Sequence, residues 1–229
     1  MQPLCPEIAL SCGGNALYAM SAAVGESLDQ YLLHWQRAPT GSSRSCAMRK
    51  LVEGTVTIFG RLDAAVNNAG YTGGSGPLAT QTEQAYDTVF NTNVCGLLFS
   101  LKHELRVMIE QGHGSIVNLS STFGERGGPG ASLYVASKRA VNGFTRSAAL
   151  EVAANGIRVN AVDPGPVVTP GLATFAGGPD ATAALAVGVP MGHLGHVDEI
   201  ADVIQFLTSE KARFITGQII AVNGGKTAR

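Results

Sequence analysis

Short apolar strands alternating with amphipathic helices predict an α/β fold on a doubly wound parallel sheet, with helices on both faces in three layers. Three observations carry that prediction. From about residue 48 to the C-terminus the alternation is regular. Each apolar run ends on a turn rich in asparagine, proline or glycine, as at Asn67–Gly70, Asp163–Pro166 and Asn223–Gly225. Glycine is abundant, at 29 of 229 residues, while aromatics are few, which suits tight strand–helix turns and close backbone approaches.

The elements follow in order. Leu51, Val52, Val56 and Phe59 recur at helical spacing, so Met48 to Phe59 reads as an amphipathic helix ended by Gly60. Leu62 to Val66 is a strand, and residues 71–80 are a glycine-rich loop. Gln81 to Phe90 and Val94 to Glu110 read as helices, and Ser115 to Leu119 as the next strand. A loop with glycines at 124, 127, 128 and 130 leads into a helix from near Ser132 to about Ala154, capped by Gly156. Ile157 to Val162 is a strand, stopped by Asp163-Pro-Gly-Pro, after which a long loop begins. Val197 to Leu207 is a helix and Gln218 to Val222 the last strand. Crossovers between parallel strands are right-handed, and ligands sit at the carboxyl ends of the strands.

The first 47 residues differ in character. Glu7 to Ser11 reads as a short strand, Cys12-Gly-Gly-Asn as a turn, and Ala38 to Cys46 as a polar loop. Ser21 to Trp35 is a poorly patterned helix, or Tyr31 to Trp35 a second strand. The whole chain, 1–229, is expected to form one domain with 1–47 atypical and the first strands of the sheet open to being incomplete.

Composition narrows the function. Net charge is −1 with no basic block, which argues against a nucleic-acid partner. No apolar run approaches the ~20 residues of a membrane span, and the start lacks a signal-peptide pattern. Cys5, Cys12, Cys46 and Cys95 form no CxxC pair, so a reduced, cytoplasmic protein without a zinc or disulfide framework is expected. The five histidines do not cluster, and no metal site is expected.

The chemistry gathers around Tyr134-Val-Ala-Ser-Lys138, with Ser121 thirteen residues upstream. A tyrosine and lysine four apart share a helix face, and a neighbouring ammonium favours the phenolate. Alone, such a pair is an ordinary surface feature. It is joined by Asn67-Asn-Ala-Gly70, Asn93-Val-Cys-Gly96, Asn118-Leu-Ser-Ser121 and Pro164-Gly165 with Thr169 beyond, each at a strand end or in a helix. This ordered set resembles the short-chain dehydrogenase/reductase family, over roughly four-fifths of the chain. The resemblance implies a Rossmann-like domain, an NAD or NADP cofactor and a small alcohol or ketone substrate. It implies that Tyr134 is the general acid/base and that Lys138 lowers the tyrosine pKa and bonds the nicotinamide ribose. Ser121, rather than Ser120, would polarise the substrate oxygen, and Asn93 would hold a water in the proton relay. Asn67, Ala69 and Gly70 would lie along the adenosine. Pro164, Gly165, Val167 and Thr169 would frame the nicotinamide.

One region departs from the family pattern, Thr-Gly-x-x-x-Gly-x-Gly. The best match, Cys12 to Ala19, keeps Gly13 but has Leu17 and Ala19 at the other two glycine positions. A leucine there would crowd a diphosphate. This segment is therefore expected not to form the usual glycine-rich turn. The alternative to an oxidoreductase is a non-catalytic oligomeric module impaired in cofactor binding, and within the family an epimerase or dehydratase. No Gly-x-Ser-x-Gly elbow surrounds Ser121, which argues against hydrolysis. The resemblance further implies a homotetramer or homodimer through the helices at about 94–111 and 133–154 and the last strand, with Ala148 to Ala154 offering small residues for contact. Residues 171–195 read as a mobile lid, with Phe175 and Met191 as lining candidates.

Overall fold

The structure, a computed structural model, describes residues 18–20, 44–176 and 178–228. Five strands form one sheet in the order β1 (Tyr18–Met20), β2 (Ala64–Asn67), β3 (Gly114–Leu119), β4 (Ile157–Pro164) and β5 (Ile219–Val222). Strands β2 to β5 are parallel, with Val66 opposite Val117, Val117 opposite Asn160 and Val162 opposite Ile220. The parallel sheet follows the expected plan. Its edge does not, because β1 runs antiparallel to β2 and pairs Ala19 with Ala65. The readings of 7–15 and 21–35 lie outside the described residues.

Alternation along the strands sorts side chains between two cores. Ala65, Ile116 and Val159 face helices α1 (Arg44–Phe59), α3 (Gly96–Gln111) and α4 (Ser132–Val152), packing with Val52, Leu97, Leu101, Met108, Val141 and Ala149. Val66, Val117 and Val162 face α7 (Val197–Thr208), packing with Ile200, Ile204 and Leu207. Together these are the three expected layers. The Gly60 N–H bonds the Val56 carbonyl at 2.8 Å, and Gly60 stops α1 with φ +78°, a conformation that costs glycine little. That helix begins at Arg44, so Ser45 and Cys46 are helical, not loop.

Three further differences matter for the site. Helix α2 (Glu83–Phe90) starts after Thr82, whose hydroxyl accepts the Ala85 N–H at 3.1 Å; Gln81 is outside it. Between α2 and α3 the chain widens into a π-helical turn, Asn91–Cys95. Strand β4 continues through Asp163 and Pro164, because Gly165 N–H still bonds the Val222 carbonyl at 3.0 Å. Asp163 is thus a strand residue, not the first residue of a turn. The stretch read as a lid holds α5 (Pro170–Ala176), α6 (Pro179–Ala184) and a 3-10 turn, Leu185–Gly188. Ala148, Ala149 and Val152 pack into the protein's own core, so they are not the outward small-residue face expected of 148–154; Leu150 points out.

Candidate active site

The carboxyl ends of β2, β3 and β4 and the first turns of α4 bring the expected residues together. Ser121 leaves β3 in an extended conformation, and its hydroxyl accepts the Phe123 N–H at 3.3 Å to start a 3-10 turn. This aims Ser121 at Tyr134, whose hydroxyl it influences directly. Ser120 turns away: its hydroxyl donates to the Lys138 carbonyl at 3.4 Å, and Gly124 leaves it room. Between the two serines, geometry favours Ser121. The Tyr134 ring is held edge-on by Phe123, with centroids 6.0 Å apart.

Lys138 is buried, and its Nζ donates to the Leu119 carbonyl at 2.7 Å. Its ammonium stands 5.6 Å from the Tyr134 ring centre. Burial pushes the Lys138 pKa down to about 8, with Asp163 opposing the shift. The Tyr134 phenol is pushed up to about 12, chiefly by burial, while Ser121 pulls it down and Asp163 adds to the rise. Burial is therefore the deciding influence, and the tyrosine keeps its proton at neutral pH.

Asn93 lies in the π-helical turn. Its amide donates to the Tyr71 carbonyl and to the Ser137 hydroxyl, both at 2.9 Å, and its oxygen accepts the Tyr71 N–H at 2.7 Å. Ser137 in turn donates to the Tyr134 carbonyl at 2.8 Å, tying the π turn to the turn that carries the tyrosine. Asn93 and Lys138 share the lining of a cavity of about 10 Å³ with Asn67 and Ala69. That is close to the space one water needs.

The cofactor residues divide. Asn67 turns its side chain inward, donating to Glu104 Oε2 and to Asn118 Oδ1, both at 3.0 Å. Asn118 donates on to the Thr145 hydroxyl at 3.0 Å. Only the Asn67 backbone is therefore placed to meet a ligand. A Cβ at Gly70 would come within 3.4 Å of Lys138 Nζ, so glycine keeps the approach to the lysine open. Pro164 and Gly165 close β4, and a Cβ at Gly165 would come within 2.9 Å of Asn223 Cα. Val168 N–H and the Pro166 carbonyl bond Gly195, leaving the Val167 N–H and carbonyl on the opposite, open edge. The Thr169 hydroxyl accepts the Leu172 N–H at 3.1 Å and keeps its proton to donate. Met191 lines a cavity of about 520 Å³ with Val167, His193 and Asn223, and Tyr134 is not part of that lining.

Two carboxyl groups were not singled out from the sequence. Glu104 is buried on α3, where burial raises its pKa to about 7 and Asn67 pulls it down. Its place on the stripe Leu97, Leu101, Glu104, Met108 was readable as helical spacing. Asp163 is fully buried, on the helix-facing side of β4 with Ala161 and Val159. Burial raises its pKa to about 7, Glu125 adds to this, and the Ser121 backbone and Lys138 oppose it. Among the described residues no cluster of three or more His, Cys, Asp or Glu could hold a metal ion, and no helix is long and apolar enough to cross a membrane.

A family model described as enoyl-(acyl carrier protein) reductase matches residues 40–227. The chain is 40% identical over 178 residues to the 3-oxoacyl-(acyl-carrier-protein) reductase FabG of Staphylococcus aureus, covering 78% of this chain and 71% of that one. Among solved structures, ElxO with NADP bound superposes with a TM-score of 0.76 at 35% identity, over 81% of this chain and 75% of that one. NAD+-bound xylitol dehydrogenase does so with a TM-score of 0.75 at 33% identity, over 79% and 75%.

Proposed function

The chain belongs to the short-chain dehydrogenase/reductase family of NAD(P)-dependent oxidoreductases, and on that premise we propose that it interconverts a secondary alcohol and a ketone, with Tyr134 as the general acid/base. The observation that carries this reading is the meeting of Ser121, Tyr134 and a buried Lys138 where β3 ends and α4 begins. The nicotinamide would deliver or accept the hydride at the substrate carbon. During reduction, charge grows on the substrate oxygen, and the Ser121 and Tyr134 hydroxyls stabilise it as neutral donors. Tyr134 then gives up its proton, which its high pKa holds ready at neutral pH. Lys138, near its own titration point at about 8, resupplies the tyrosine, and a water in the cavity beside Asn93 links it to solvent.

The residues present fit the nicotinamide end of NAD or NADP. The open edge of Val167 offers a donor and an acceptor to a carboxamide, Thr169 a further donor, and Gly70 clears space beside Lys138. Pro164 and Gly165 set that loop, and the backbones of Asn67 and Ala69 would lie along the adenosine. The diphosphate end favours the second reading, a non-catalytic module. Ala19, at the last glycine position of the family motif, is in β1 opposite Ala65, so a turn does not form there. We further propose one domain over 1–229, a cytoplasmic location and a small-molecule substrate without nucleic-acid or membrane partners.

Tyr134→Phe decides between the readings. Expected are retained nicotinamide binding by calorimetry and turnover lower by about 10²-fold or more, followed at 340 nm across secondary alcohols and ketones. Absence of both binding and turnover in the unaltered chain would establish the module instead.

A further inference from the structure

We propose that Glu104 is a positioning residue for the dinucleotide: it holds the Asn67 side chain inside the protein, so that the segment Asn67–Tyr71 at the end of β2 meets the cofactor with its backbone. The proposal rests on the reading of Asn67, Ala69 and Gly70 as the stretch along the adenosine.

The pose of Asn67 depends on two bonds from one atom. Its Nδ2 donates to Glu104 Oε2 and to Asn118 Oδ1, while its Oδ1 has no hydrogen-bond partner among the described residues. The Asn118 end is set by a chain of donors. The Thr145 hydroxyl gives its proton to the Val141 carbonyl at 2.8 Å, so it can only accept from Asn118 Nδ2, and Asn118 turns its oxygen to Asn67. Asn67, Glu104, Asn118 and Thr145 are all buried, and they join β2, α3, β3 and α4. Without an acceptor at residue 104, one of the two bonds is lost, and the amide is released toward the side the backbone must present to a ligand.

The other end of the segment is held from the same helical run. Asn93, in the π-helical turn that leads into α3, bonds both the N–H and the carbonyl of Tyr71. Between the two grips, Ala69 lines the small cavity beside Lys138, and Gly70 approaches Lys138 Nζ. Packing gives no reason for an acid at residue 104. It falls on the stripe of Leu97, Leu101 and Met108, where a leucine would complete the core, and burying a carboxyl group there costs stability. What the carboxyl group supplies, and leucine does not, is the acceptor for Asn67.

The test is calorimetry of the full chain with NADP+ and with NAD+, comparing Glu104→Leu, Glu104→Met, Glu104→Gln and Ile204→Ala with the unaltered protein. Ile204→Ala opens a cavity in the core on the other face of the sheet, and so lowers stability without touching Asn67. The two apolar variants should bind about tenfold more weakly, the equivalent of one hydrogen bond, with Glu104→Met deciding if Glu104→Leu does not fold. Glu104→Gln, which keeps the acceptor, and Ile204→Ala should stay within about twofold of the parent. Unchanged affinity in a folded apolar variant, or an equal loss in Glu104→Gln or in Ile204→Ala, would overturn the proposal. If the unaltered chain binds neither dinucleotide, the proposed function fails and amide hydrogen exchange decides the positioning claim. Exchange over residues 67–71 should then be about tenfold faster in the apolar variants, measured against the core amide of Val117, and unchanged in Glu104→Gln. Equal exchange in all of them would refute it.

Discussion

Glu104→Gln should make the protein more stable above neutral pH and change it much less at pH 5. Glu104 is 1% exposed, and its carboxyl titrates at about 7 in the folded chain against 4.5 as its ordinary value. Burial is the main cause, and the hydrogen bond from Asn67 Nδ2 recovers part of it. The folded state thus holds a proton between pH 4.5 and 7 that the unfolded state has released. Stability is complete below about 4.5 and is lost as pH rises through 7. At ~1.4 kcal/mol per pH unit, the loss is roughly 3 kcal/mol above pH 7.5. A glutamine still accepts the Asn67 hydrogen bond and has no charge to bury. The difference in unfolding free energy between variant and parent should therefore grow from about 1 kcal/mol at pH 5 to roughly 3 kcal/mol at pH 8. Asp163 and Lys138 titrate nearby, but they are common to both proteins and cancel in the difference. Urea denaturation followed by circular dichroism at fixed protein concentration gives the curve. A difference that stays flat from pH 5 to 8 would show that Glu104 is not protonated in the fold.

Two further outcomes follow from packing. Gly165→Ala should cost ~1–3 kcal/mol and weaken nicotinamide binding, because its Cβ would press on the Asn223 backbone; Gly127→Ala, with open space around it, is the control and should change little. Equal melting temperatures for the two would refute the reading of Gly165 as a close-approach position. Leu98 and Ile109 on α3 and Leu150 on α4 are exposed at 43%, 44% and 85%, and should be covered in a homodimer or homotetramer. Light scattering should report more than one copy, and Leu150→Glu should reduce that number; a monomer in both would remove this interface.

The elements legible in the sequence were those whose pattern is local. Val52 and Val56, or Ile116 and Val117, carry their periodicity within a few residues, and the helices and strands they imply are present. The π turn at Asn91–Cys95 was hidden because its residues read as an unbroken helix. What distinguishes it is a tertiary tie, from Asn93 to Tyr71 and Ser137, and no spacing rule reports that. Asp163 was hidden for the opposite reason: an aspartate before Pro-Gly has the composition of a turn, and only pairing with β5 keeps it in the sheet.

The site itself shows where local patterning stops being enough. The spacing of Tyr134 and Lys138 predicted an ammonium that lowers a phenol. In the fold, Lys138 spends a proton on the Leu119 carbonyl and stands 5.6 Å from the ring centre. Desolvation then decides the outcome, and it acts on both groups against their charged forms, raising the tyrosine and lowering the lysine. Their titration points approach neutrality from one side only, through the lysine, while the tyrosine moves away from it. A site so arranged gives up a tyrosine proton easily only when charge builds on a bound oxygen. That is the demand the proposed carbonyl reduction would make, with the protonated tyrosine as the resting state.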